Sequence, residues 1–204
     1  MYSVFSQSVL FGEMLPIPTK PQNKDTDEQY GIALVSAFPI KQYATAMLGP
    51  SLDVYWEDPA NIEKEPRTAL AVQIDGMGQP VWIINTHLTY TFDRNQSSPY
   101  RQEQIDNLLI FIEKNIRLDE PMILMGDFNA VPENPDLEKL GQLFKRVPMD
   151  ELTYPVSETR PLAWHIDHFF CRNLEKYGFS YGPIRTHADP ALSDHKLCMM
   201  TLTR

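Results

Sequence analysis

The chain is 204 residues long, 43% hydrophobic and 22% charged, and its 27 acidic against 18 basic side chains leave a formal net charge of −9. That composition describes one soluble globular domain, large enough to bury a core without disulfide or metal staples. No stretch reaches the roughly 18 apolar residues of a membrane span, no signal peptide is visible at the start, and no Lys/Arg run gives a nucleic-acid footprint.

In chain order, residues 16–28 read as an exposed loop, because their prolines and charges cannot bury enough apolar surface. Residues 30–40 form an apolar run stopped by Pro39, a predicted buried strand. Residues 69–75 and 81–87 are two more, joined by a turn at 76–80. Pro99 then suits a first helical turn, and Ile105, Leu108, Leu109 and Ile112 recur at helical spacing until the region 115–120. Residues 121–126 read as a buried strand running into a turn, 134–143 as a short second helix, and 166–172, 178–185 and 196–202 as the remaining strands. Many short strands with one long helix between two of them predict a mixed α/β layered domain whose strand-end loops carry the polar chemistry. No repeat or linker divides the chain, so residues 1–204 are read as a single domain.

Four strand ends offer that chemistry. In Gly126-Asp127-Phe128-Asn129 the glycine permits a tight turn, while the carboxylate of Asp127 and the amide of Asn129 alternate onto one side. His87 closes an apolar strand in the segment NTHL and can act as acid, base or hydrogen-bond donor near neutral pH. Asp167 opens the strand that follows the aromatic-rich loop of Trp164 and His165, and Asp194-His195 precedes the last strand. Each alone is as well explained by a local turn or cap. Together they bring carboxylates and imidazoles but no GxSxG nucleophile, and carboxylates without thiolate ligands favour Mg²⁺ or Mn²⁺ over structural zinc. The only cysteines, Cys171 and Cys198, lie in apolar segments without CxxC or zinc spacing and read as buried free thiols, with a bridge between strands left open. Hydrolysis of a phosphate ester is the economical reading of such a set.

The pieces YGIALVSAFPI, EPRTAL, NTHL, RQEQ, PMILMGDFNAVPE, IDHFF and LSDHKLCMMTL, in that order, resemble the endonuclease/exonuclease/phosphatase superfamily, which includes deoxyribonuclease I. The resemblance implies an α/β (α+β) fold: a four-layer α/β/β/α sandwich of two mixed sheets with the site at one edge. It implies that His87 contacts phosphate or assists the leaving group, with Glu28 as its carboxylate partner. Asp127 would position or activate the attacking water, Asn129 would stabilise the phosphorane-like transition state, and Asp167 would hold His195 against the phosphate. Asp194 would ligate the metal, and Arg67 in the EPR segment would sit near the site or form a structural salt bridge.

The pattern also departs from that superfamily. Its usual opening, a strand ending in asparagine (a TYN type of motif) and a second strand with a metal-binding glutamate (a QE type), is not visible, so roughly the first quarter of the usual domain is expected to be missing. The implied function is a divalent-metal-dependent phosphodiesterase or phosphatase with an activated water. The second reading is an inactive truncated relative that serves as a binding or interaction module, self-associating through its incomplete sheet. The net acidity ranks nucleic acid below a phosphate-ester small molecule or a lipid headgroup as substrate. Tyr90, Phe92, Tyr100 and Trp164 supply aromatic faces for such a pocket, or plain packing.

Overall fold

The computed structural model describes residues 1–11, 28–58, 61–76, 78–149, 151–154, 163–188 and 193–204. The loop expected over residues 16–28 lies outside them except at Glu28, which opens a strand and whose side chain also lies outside them. Along the chain run β1 (Tyr2–Phe11), β2 (Glu28–Ser36), β3 (Ile40–Gly49), α1 (Leu52–Glu57), β4 (Arg67–Gly76), β5 (Gln79–His87), α2 (Pro99–Asn115), β6 (Met122–Asp127), α3 (Glu138–Leu143), β7 (Lys145–Arg146), β8 (Asp167–Arg172), β9 (Ser180–Tyr181), β10 (Arg185–His187), β11 (Leu197–Met199) and β12 (Leu202–Thr203).

A six-stranded sheet in the order β3-β4-β5-β6-β8-β7 forms the centre. Only β5 and β6 run parallel, and α2 makes the crossover between them; the other pairings are antiparallel. Such a central strand is covered on both faces, which is why β6 reads as the unbroken apolar run Met122-Ile-Leu-Met125. Met122 and Leu124 point into the core beneath α2 and α3, with Trp82, Ile84, Leu108, Ile112, Leu140 and Phe170. Ile123 and Met125 point the other way, among Val81, Phe169, Cys171, Tyr181, Cys198 and Leu202.

That other face is covered by three two-stranded pieces, β1-β2, β9-β12 and β10-β11. Leu34 of β2 packs on Leu70 and Val72 of β4. The described residues therefore build three layers: helices, the mixed sheet and a second β layer. Among them no helix is long and apolar enough to cross a membrane.

β1, α1 and β7 have no counterpart among the expected elements, and expected strands differ from the observed ones in three further places. The run expected over 30–40 is β2, which ends at Ser36; beyond the break at Pro39, whose carbonyl takes the N–H of Asp75, an unexpected strand β3 begins at Ile40. The strand expected over 178–185 is split into β9 and β10 across Pro183, which has no N–H to give to a ladder. The strand expected over 196–202 is split in step with it, because β11 pairs with β10 and β12 with β9.

Candidate active site

Strand register does the first part of the assembly. His87, at the end of β5, stands opposite Asp127 at the end of β6, and Asp127 stands opposite Asp167 at the start of β8. Residues paired across neighbouring strands share a face. All three side chains thus point to the side of the second β layer, the parity of Ile123 and Phe169. The close approach depends on Gly126, whose φ is +145° and where a Cβ would stand 1.9 Å from the carbonyl oxygen of Thr86.

The second β layer supplies the fourth group. His195, just before β11, sets Nδ1 2.9 Å from Asp167 Oδ2 and Nε2 3.7 Å from Asp127 Oδ2. The Tyr154 ring packs against its imidazole in a T-shaped contact. Thr153, fully buried, ties this corner together: its hydroxyl oxygen accepts from the N–H groups of Ile166 and Asp167, and its carbonyl from Lys196. Asn129, buried and left-handed at φ 50°, turns back toward β5. Its backbone N–H donates to Asp127 Oδ1 at 2.8 Å, and its Nδ2 donates to Leu88 O at 3.0 Å and to His87 Nε2 at 3.2 Å. Both amide hydrogens of Asn129 are engaged, so it fixes the His87 ring and tautomer.

Burial sets the charge states. Asp127, with its side chain 15% exposed, is pushed up to about 7 by desolvation and by the neighbouring carboxylate of Asp167, against the pull of His195 and the Asn129 hydrogen bond. His87 is pushed down to about 3 by desolvation and by the charges of Arg67, His195 and Arg94, so it is a neutral imidazole at physiological pH. For His195 burial disfavours the charged form, yet the hydrogen bond and charge of Asp167, with the charges of Asp127 and Asp194, carry its pKa above the ordinary value. Cys171 and Cys198 are free, and burial pushes both thiols up to about 12, which removes them as nucleophiles at neutral pH.

The strand-end reading thus brings His87, Asp127, Asn129, Asp167 and His195 together. Asp194 is exposed beside them, close enough to bias His195. Arg67, 4% exposed, pairs with Glu65 at 2.7 Å, and its charge is also felt at His87. Phe92 is 85% exposed on the loop after His87, and Tyr90 in that loop lies under Arg94.

Thr153 and Arg94 in this neighbourhood carried no sequence signal, and Arg101 stood only within a matched segment. Arg101 is sealed in the core with Asp136 at 2.9 Å and donates to Asn129 O at 3.0 Å, so α2 holds the turn that follows β6. Its place at the start of the helix was legible only as part of RQEQ.

One ligand atom each from Asp127, Asp167 and His195 lie within 4.8 Å of one another. The two carboxylates of this group suit Mg²⁺ or Mn²⁺. Burial first, and then the neighbouring Asp167, disfavour the charged form of Asp127, and a divalent cation between the two acids would offset both. The residues present fit such an ion.

The sequence model of the Endonuclease/Exonuclease/phosphatase family matches residues 3–195. No curated protein sequence matches the chain. Among solved structures, an endonuclease/exonuclease/phosphatase family protein from Leptotrichia buccalis is similar over 100% of this chain and 71% of its own, at 15% identity and a TM-score of 0.64. An endonuclease/exonuclease/phosphatase from Beutenbergia cavernae is similar over 98% and 53%, at 17% identity and a TM-score of 0.62. A mannosyl-6-phosphatase from Bacteroides thetaiotaomicron is similar over 82% and 67%, at 17% identity and a TM-score of 0.55. The chain spans about half the length of the Beutenbergia protein, and at these identities the likeness is one of fold.

Proposed function

The chain belongs to the endonuclease/exonuclease/phosphatase family, and on that premise we propose that it is a divalent-metal-dependent hydrolase of phosphoric esters that works through an activated water. The observation that carries this reading is the row His87, Asp127, Asp167 across three neighbouring strands, closed from the second layer by His195. Asp127 and Asp167 would hold the ion, with His195 beside them and Asp194 next to His195 on the chain. Bound there, the ion would stabilise charge on phosphoryl oxygens and favour loss of a proton from water.

The side chains carry the rest. As a carboxylate, Asp127 takes the proton of the attacking water while the water oxygen bonds to phosphorus, the ester P–O bond breaks and the leaving oxygen takes a proton from solvent. His195, charged more readily because Asp167 holds it, donates a hydrogen bond to the phosphoryl oxygens. His87 works as a neutral hydrogen-bonding group fixed by Asn129. For Asn129 to reach a transition-state oxygen it must release Leu88 O or His87. The favoured substrate is a small phosphate ester or a lipid headgroup, because a chain of net charge −9 repels the phosphate rows of duplex DNA.

Hydrolysis of bis-p-nitrophenyl phosphate and p-nitrophenyl phosphate, with Mg²⁺ and with chelator, tests the reading. Wild type is expected to turn over at least one ester only with metal, and Asp127→Ala to lose about 10³-fold or more in kcat/KM. No metal-dependent difference between the two proteins would instead favour the interaction-module reading.

A further inference from the structure

We propose that Arg94 is an anion-binding group of this site, held by the fold to grip an oxygen of the substrate's phosphate. The inference rests on reading the site as phosphate-binding and adds to it a residue that binds the charge.

Arg94 lies on the loop after β5 and is 4% exposed. Its guanidinium stacks 3.7 Å over the Tyr90 ring, yet among the described residues Nε and Nη1 are buried with no hydrogen-bond partner. A buried guanidinium donor without an acceptor is costly, and such a group persists where a ligand completes it. The loop is not free to swing away. The carbonyl of Arg94 accepts from the N–H of Val131 at 3.2 Å and from Asn134 Nδ2 at 2.8 Å, so the residue is fastened to the turn that also carries Asp127 and Asn129. The charge of Arg94 is felt at both Asp127 and His87.

The chemistry of the site leaves a role for it. Phosphate brings negative charge to a pocket that already holds two carboxylates, in a chain of net charge −9. His87 is neutral at physiological pH and cannot balance that charge. A guanidinium fixed before binding loses little freedom when the anion arrives, which makes its hydrogen bonds to oxyanions effective.

The test measures inorganic phosphate binding by calorimetry, and thermal unfolding with and without phosphate, for wild type, Arg94→Lys and Arg94→Met. Phosphate is expected to bind wild type and raise its Tm, to bind Arg94→Met about 10- to 100-fold more weakly, and to bind Arg94→Lys in between. Without phosphate, Arg94→Met is expected to melt no lower than wild type, because it removes a buried charge that lacks an acceptor. Equal phosphate affinity in wild type and Arg94→Met overturns the proposal. So does a lower Tm of Arg94→Met without phosphate combined with an unchanged phosphate-induced rise, the mark of a purely structural arginine. Phosphate binding lost in Arg94→Met while wild type hydrolyses no ester keeps this inference and removes the catalytic one; ester hydrolysis with the same KM and kcat in both proteins does the reverse.

Discussion

At the scale of single residues, the site is a contest between desolvation and charge. Asp127 has a folded pKa of about 7 against an ordinary 3.8. A group raised in this way stabilises the fold fully below its unfolded pKa, and that contribution is lost as pH rises through the folded value. His195, also raised, acts in the same sense. His87, lowered to about 3 from 6.5, acts in the opposite sense, and its contribution grows with pH only between those two values. The interval from pH 6.5 to 8 therefore isolates Asp127 and His195. In urea denaturation with chelator present, wild type is expected to lose about 1 kcal/mol over that interval, and Asp127→Asn to flatten the slope while holding the Asn129 N–H. A wild-type stability that stays level or climbs there contradicts the assigned shift. These residues were legible because each one closes or opens an apolar run. Their closeness was not, since Asp127 and Asp167 meet through the pairing of β6 with β8, across about forty residues of chain. Arg94 left no trace at all: a lone cation among the polar residues of TFDRNQSS has no period to betray its burial.

At the scale of elements, register is what the site depends on. Gly126 lets β6 lie against Thr86 of β5, and no other residue fits where a Cβ would stand 1.9 Å from a carbonyl oxygen. Gly126→Ala is expected to cost about 3 kcal/mol or more in stability, and to lose activity even at temperatures where the variant stays folded, because His87 and Asp127 are displaced together. A variant as stable and as active as wild type would show that the strand pairing tolerates a shift. Elements with a strong period were read well: α2 spans Pro99–Asn115 with Ile105, Leu108 and Ile112 buried, and β4 to β6 fall within two residues of expectation. The edge strand β3 was missed because Lys41, Gln42 and Thr45 dilute its apolar face. The strands β9 to β12 have two or three residues each, too few for any alternation to register.

At the scale of the whole molecule, the helices and mixed sheet form a floor, and the second β layer brings His195 over the row on that floor. The deoxyribonuclease I-like α/β fold follows from this arrangement and from family membership. With 27 acidic side chains the surface attracts cations weakly at many points, so a true metal site must stand out by saturating at one ion and by depending on named residues. The decisive measurement is a Mn²⁺ titration followed by electron paramagnetic resonance, on wild type and on Asp167→Asn. One saturable ion per wild-type chain, at least about tenfold weaker in the variant, is the expected result. Two identical isotherms, or diffuse uptake without saturation in wild type, would mean that these acids and imidazoles meet for a purpose other than holding a cation.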